Sequence, residues 1–273
     1  MLSKASVQKL RGYSRKKLRV AEGRCLVEGW RSLEAALDAG IAIEWLLETG
    51  GRTIEADRVG LLERLRERAV RVEVASSAQM RQITHSVTPP ELAGLVSWSP
   101  RGPVELGTGI TTGAVSCGVS GPLVVVVADG VGDPGNLGTL IRTADWFGAA
   151  GFFAGPGSVE LTNPKVVQAT MGSLFQLPVG TGDSTVDFIE ALRVDGFSVA
   201  SLELGGATDV RSINWPDKLV LVVGNEARGV SPEVRARADF RAMIPRFGHA
   251  ESLNAAASVA VVLGQIRLGG RSG

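Results

Sequence analysis

The chain has 273 residues, 44% of them hydrophobic and 21% charged, which is ample for one large core or two ordinary ones. Its longest apolar runs, such as Leu123 to Ala128, are too short to cross a bilayer, and the basic N-terminus is not followed by an apolar signal core, so a soluble cytoplasmic protein is expected. Cys25 and Cys117 lack CxxC spacing and the only histidines are His85 and His249, which speaks against a disulfide framework and against a metal site.

The net charge of +1 hides an uneven distribution. Lys4, Lys9, Arg11, Arg15, Lys16, Lys17, Arg19 and Arg24 precede most of the acidic residues, a cluster able to neutralise several phosphates of a nucleic acid. A solvated helix face has the same composition, and charge alone does not separate the two. Further along, hydrophobic periodicity predicts a helix over Arg31 to Ala39, a strand over Ile43 to Leu47, a helix over Leu61 to Arg68 and a strand over Val70 to Val74. These elements describe a small α/β module over residues 1–98. Residues 99–121, rich in Gly, Pro, Ser and Thr, have the composition of a linker.

From Pro122 the pattern becomes that of a parallel sheet covered on both faces, with strands predicted at Leu123 to Ala128, Gly151 to Ala154, Ser198 to Leu202, Leu219 to Val223 and Arg241 to Ile244. A C-terminal domain over 122–273 follows. Ligands of such sheets gather beyond the carboxyl ends of the strands. Three loops there carry polar residues of interest.

The first loop runs from Asp129 into a helix ending near Phe147 and contains Asn136, Gly138, Arg142 and Thr143. Asn136 is placed as an N-cap, and Arg142 offers a planar fork of donors suited to phosphate or an oxyanion. Its glycines lack both GxGxxG spacing and a P-loop GK[ST], so a dinucleotide-dependent oxidoreductase is a weak reading. The second loop, Gly224 to Glu233, contains Asn225, Glu226 and Gly229, with Ser231-Pro232 starting the next helix. A carboxylate at a strand end can hold a hydroxyl, an amide or a cation. The third loop leads from Ile244-Pro245 to Ser252-Leu253-Asn254 and into a helix of small and apolar residues, Ala255 to Leu268. Ser252 and Asn254 can cap that helix, whose small residues permit close packing in the fold or at a subunit interface.

Together these loops resemble the three signature motifs of the SpoU/TrmH branch of the SPOUT methyltransferases: Asn136-x-Gly138-x-x-x-Arg142-Thr143, Gly224-Asn225-Glu226-x-x-Gly229-Val230-Ser231, and Ile244-Pro245 with Ser252-Leu253-Asn254. The region Lys165 to Pro178, with its run from Ala169 to Pro178, resembles the segment between the first two motifs. The N-terminal part, through Lys17-Leu18-Arg19, Val27-Glu28-Gly29 and Thr88-Pro89-Pro90, is similar to the family's ribosomal-protein-like substrate-binding domain. After Asn254 the chain departs from the pattern, with Ala255-Ala256-Ala257-Ser258 where many relatives have Val-Ser-Val.

The resemblance implies an α/β protein whose C-terminal parallel-sheet domain ends in a trefoil knot, an exception to the rule against knotted connections, and which dimerises through that knot. It implies transfer of a methyl group from S-adenosylmethionine (SAM) to a ribose 2′-hydroxyl of RNA, ribosomal RNA before transfer RNA. The implied catalytic residues are Asn136, Arg142, Glu226, Ser252 and Asn254. The implied SAM contacts are Leu202, Glu203, Gly224, Asn225, Ile244 and Leu253. Lys9, Arg11, Arg15, Lys16, Lys17 and Arg19 are the candidate RNA contacts. A catalytically idle RNA-binding or ribosome-assembly protein on the same fold is the alternative.

Overall fold

The computed structural model describes residues 2–113, 121–205 and 208–269. Cys117 and part of the 99–121 stretch lie outside them. The chain forms two compact units, residues 1–99 with 160–176 and residues 100–159 with 177–273.

The first unit is built on a four-stranded sheet in the order β1-β4-β2-β3, formed by β1 (Arg24–Glu28), β2 (Ile43–Thr49), β3 (Arg71–Ala75) and β4 (Leu92–Ser97). β4 runs antiparallel to both neighbours, and β2 and β3 are parallel. The helices are α1 (Lys4–Gly12), α2 (Lys16–Glu22), α3 (Trp30–Asp38), α4 (Val59–Arg68) and α5 (Ser77–Ile83). Helix α1 is capped by Ser3, whose side chain accepts from the Ser6 amide, and α5 starts with a capping box between Ser76 and Gln79. Leu10, Tyr13, Leu26, Leu47, Met80, Ile83, Ala93 and Leu95 form one buried cluster. The periodic signal locates α3, α4, β2 and β3 to within two residues at each end.

The second unit opens with α6 (Pro103–Thr111), inside the stretch expected to be a linker. Its Leu106 and Ile110, four residues apart on one helix face, are fully buried, and Pro103 starts the helix at a position that tolerates a missing N–H. Composition misleads here because two apolar anchors suffice to dock a short helix. After α6 come β5 (Leu123–Asp129), α7 (Pro134–Trp146) and β6 (Gly151–Ala154). The chain then contributes α8 (Pro164–Thr170) and α9 (Ser173–Gln176) to the first unit before returning as β7 (Val179–Thr181). It continues through α10 (Thr185–Val194), β8 (Ser198–Leu202), β9 (Thr208–Asp209), β10 (Lys218–Gly224), α11 (Pro232–Arg235), β11 (Phe240–Met243) and α12 (Ala255–Leu268).

These seven strands make one sheet in the order β7-β6-β5-β10-β8-β11-β9, and every pairing is parallel. Parallel strands buried on both faces demand apolar residues at successive positions, and Val124 to Ala128 and Leu219 to Val222 are each fully buried. On one face Val125, Val127, Val220 and Val222 join Leu106 and Ile110 of α6, Phe188, Ile189 and Leu192 of α10 and Val234 of α11. Phe153 and Phe188 stack there with centroids 4.1 Å apart. Strand alternation sends Val124 and Val126 to the opposite face. Helices α7 and α12 pack against each other, and α12 also meets β10. The Arg267 guanidinium near the end of α12 donates to the carbonyls of Pro122, Phe147 and Gly148, each at 2.8 Å, and ties the helix to the start of β5 and the end of α7.

Candidate active site

β5 and β10 are neighbours in the sheet, and their last residues, Asp129 and Gly224, are paired in register. The first two motif loops therefore leave the sheet side by side, at the edge where an open parallel sheet collects its ligands. Buried Asp129 joins them. One carboxylate oxygen accepts from the Ser231 amide at 2.7 Å and the other from the Thr185 hydroxyl at 3.2 Å. Sequence reasoning gives Asp129 no role, although it opens the first motif loop.

Within the second loop Gly224 is required sterically, because a Cβ there would lie 2.1 to 2.3 Å from backbone atoms of Gly229 and Val230. The loop closes on itself through Asn225 N–H to Gly229 O at 3.0 Å and Gly229 N–H to Asn225 O at 2.8 Å. Gly229 takes φ of +70°, a conformation that costs any residue with a Cβ. The Asn225 Oδ1 accepts from the amides of Ala227 and Arg228, and its Nδ2 donates to Gly130 O of the first loop at 2.8 Å. Asn225 thus shapes the loop, leaving one amide hydrogen for any other partner.

Asn136 is not the N-cap of α7. Asp133 caps the helix, accepting from the Asn136 amide at 2.7 Å, and Pro134 occupies the first turn. Asp133 is closer to the strand and carries a full negative charge for the helix N-terminus, which frees the Asn136 side chain. That side chain joins all three motifs. Its Nδ2 donates to Glu226 Oε1 at 2.9 Å, and its Oδ1 accepts from Asn254 Nδ2 at 2.8 Å. Asn254 in turn caps α12, its Oδ1 accepting from the amides of Ala256 at 2.9 Å and Ala257 at 3.3 Å. Of the two residues expected to cap α12, Asn254 does so and Ser252 does not.

Arg142 and Ser252 stand outside this chain of hydrogen bonds. Both are exposed, and neither side chain has a hydrogen-bond or ion-pair partner among the described residues. Leu202 and Glu203 lie at the end of β8 and Ile244 just beyond the neighbouring β11, while Leu253 lies in the loop just before α12. The Glu203 carboxylate is already engaged. It accepts from Arg241 at 2.6 and 3.0 Å and from the Ser201 hydroxyl at 2.9 Å, with Arg235 3.4 Å away. Burial raises the affinity of Glu203 for a proton, but the hydrogen bonds from Arg241 and Ser201 and the charges of both arginines outweigh it and hold the carboxyl below its usual range. The Glu203 amide is engaged as well, donating to Ala242 O at 2.9 Å.

A SAM-sized ligand without phosphates needs apolar walls and separate donors and acceptors. The segment between β11 and α12 offers both. The backbone amides of residues 246–253 donate to no group among the described residues, half-buried Ile244 and half-exposed Leu253 flank them, and Phe247 is 87% exposed. These residues fit the ligand. No group of three or more His, Cys, Asp or Glu side chains suited to a metal occurs among the described residues.

In the first unit Lys9, Arg11, Arg15, Lys16 and Lys17 are exposed. Arg19 is not a candidate RNA contact. It is 3% exposed, paired with Glu160, and donates to the Thr162 hydroxyl and to the carbonyls of Tyr13 and Ser14. A run of positive residues in sequence does not reveal which of them turns inward. The acid that neutralises Arg19 lies 141 positions away. Cys25 is fully buried and its thiol is pushed up to about 12 by burial and by the neighbouring Glu160, which makes it an inert packing residue.

The fold and site define a methyltransferase that uses SAM and acts on RNA. The chain belongs to the SpoU rRNA Methylase family, which matches residues 123–264, and residues 4–94 match the MRM3-like substrate binding domain. It is 26% identical over 269 residues to the 23S rRNA (guanosine(2553)-2′-O)-methyltransferase RlmP of Bacillus subtilis, covering 97% of this chain and 98% of that protein. Among solved structures it is similar to an AdoMet-bound rRNA methyltransferase from Sinorhizobium meliloti, with 29% identity, a TM-score of 0.83 and coverage of 98% and 96% of the two chains. It is also similar to the SpoU methyltransferase AviRb from Streptomyces viridochromogenes in complex with AdoMet, at 26% identity, a TM-score of 0.83 and coverage of 99% and 100%.

Proposed function

We propose that the cluster centred on Asn136 is where a methyl group passes from SAM to a ribose 2′-hydroxyl of ribosomal RNA. The observation that carries this reading is the bridge from Glu226 through Asn136 to Asn254, which unites three motifs remote in the chain. The ribosomal substrate is supported by the names of the full-length relatives and by the N-terminal match to a substrate-binding domain. It also favours a cytoplasmic location, and no helix among the described residues is long and apolar enough to cross a membrane.

SAM supplies the methyl group and lies against backbone groups of residues 244–253 and of Leu202, Glu203 and Gly224, with Ile244 and Leu253 as apolar walls. The third loop and α12 form the knotted end of the chain, and a second copy covers exposed Leu253 and Phe247. Ser252 and Asn254 complete the polar wall beside Asn136. Arg142, unpartnered within the described residues, holds the adjoining phosphate or the developing alkoxide. Positioning of the hydroxyl in line with the methyl supplies much of the rate. Lys9, Arg11, Arg15, Lys16 and Lys17 bind the RNA backbone.

Incubation with labelled SAM and ribosomal RNA from cells lacking the protein, followed by mapping of the modified nucleotide, tests the reading. One 2′-O-methylated ribose in ribosomal RNA is expected. Intact SAM binding with no methylated RNA overturns it and favours an idle RNA-binding protein.

A further inference from the structure

The hydrogen bonds that cross the site have a direction. Two backbone donors of α12, the amides of Ala256 and Ala257, fix which end of the Asn254 amide is the oxygen. Asn254 Nδ2 must then donate, so the Asn136 atom that it meets is the oxygen, and Asn136 Nδ2 must donate in turn. The last acceptor in the series is Glu226 Oε1, at 2.9 Å. The start of α12 thus determines the orientation of both side-chain amides. The series leaves Glu226 Oε1 no role toward Asn136 except that of acceptor, which keeps the carboxyl turned into the site. Its Oε2 has no partner among the described residues, and the side chain is exposed.

Resting on the function proposed above, we infer that Glu226 is the group that takes the proton from the attacking ribose hydroxyl. The ribose O2′–H bond breaks and its proton passes to Glu226 Oε2. The oxygen's electron pair forms the new bond to the methyl carbon as the carbon–sulfur bond breaks. That bond's electrons return to sulfur, turning the sulfonium into a neutral thioether, and the proton leaves Glu226 for solvent. Arg142 is unsuited to the task, because a guanidinium does not give up its proton at any pH in which RNA survives. Asn136 and Asn254 act through Glu226 and are positioning residues. The charged groups on the elements that meet here are Asp129 at the end of β5, Asp133 capping α7, Arg142 and Asp145 on α7, Arg228 in the loop of Glu226, Arg246, His249 and Glu251 between β11 and α12, and Arg267 on α12.

Single-turnover methyl transfer to ribosomal RNA, followed against pH in the wild type, Glu226→Gln and Asn136→Asp, tests this. The wild type loses rate on the acid side as one proton binds. Glu226→Gln falls by about a hundredfold or more and its residual rate is flat through that range. Asn136→Asp puts a second carboxylate against Glu226, so its acid limb moves to higher pH. Titration of a 13C-labelled Glu226 carboxyl by NMR, in protein without SAM, gives the same upward displacement in Asn136→Asp and needs no turnover. Glu226→Gln within a few-fold of the wild type, or retaining the acid limb, overturns the assignment while leaving the methyltransferase reading intact. So does an unmoved limb in Asn136→Asp, which decides the matter if Glu226→Gln fails to bind SAM by calorimetry. Absence of transfer by the wild type refutes the underlying function instead.

Discussion

Asn254 and Asn136, 118 positions apart, meet through a 2.8 Å hydrogen bond in which Asn254 is the donor. The same Asn254 side chain caps α12 with its oxygen. Replacing Asn254 with Asp separates the two roles, since a carboxylate caps a helix at least as well but has no proton to give Asn136. Thermal stability close to wild type together with turnover lowered about tenfold is expected. Asn254→Ala lowers both and costs about 1 kcal/mol of stability by urea denaturation. If Asn254→Asp is as active as the wild type, the bond to Asn136 has no part in catalysis.

Gly224→Ala forces a methyl group into backbone atoms of Gly229 and Val230, and Gly229→Ala forces a left-handed conformation on alanine. Each change is expected to cost about 1–3 kcal/mol in urea melts. SAM binding measured by calorimetry should weaken more in Gly224→Ala, where the end of β10 itself must move.

Arg19→Ala leaves the part-buried Glu160 without its cation and removes a buried guanidinium's hydrogen bonds, and is expected to destabilise by about 3 kcal/mol. Arg19→Ala combined with Glu160→Ala should recover much of that stability. A double variant no more stable than Arg19→Ala would show that burial of the carboxylate is not the source of the penalty.

Lys16→Ala and Lys17→Ala remove exposed charges whose side chains bond to no other described residue, so their melting temperatures should match the wild type. Where the replaced lysine neutralises one RNA phosphate, the slope of log affinity against log salt becomes shallower by about 1. A filter-binding series in which the slope is unchanged removes these lysines from the RNA surface.

Glu203 has its carboxyl held below the ordinary 4.5 in the folded chain, and the same direction holds for Glu28, where His85 and Ser86 donors overcome burial. The unfolded chain therefore binds more protons as pH falls through the mid-4 range, so this stabilisation is full above that range and is lost below it. Arg241→Ala removes a donor from Glu203 and should flatten the acid limb of a stability-against-pH curve. An unchanged limb would exclude the Glu203 pairing as a source of acid sensitivity.

Much of the sheet is legible in the sequence because buried parallel strands must be continuous apolar runs, and Leu123 to Ala128 and Leu219 to Val223 are such runs. The three-residue β7 and two-residue β9 are too short to carry a periodicity and give no such signal. Asn136, Glu226 and Asn254 are recognisable as motif residues, but their mutual hydrogen bonds depend on where Asp133 sets the start of α7. Charge patterning groups Arg19 with its exposed neighbours, since nothing in residues 4–24 signals a partner at Glu160. Arg267 is illegible for a similar reason, because all three of its acceptors are backbone carbonyls, which no side-chain pattern announces.

The loan of residues 160–176 to the first unit has a consequence for taking the protein apart. Neither unit is an uninterrupted stretch, and the polypeptide passes between them after residues 99, 159 and 176. A fragment ending at Ser99 would lack the carboxylate for Arg19, while one beginning at Pro100 would carry α8 and α9 without the strand and helix they cover. Grafting either half onto another scaffold calls for rejoining its ends by a new linker across the gap, so recombination by simple cut and paste is closed to this chain.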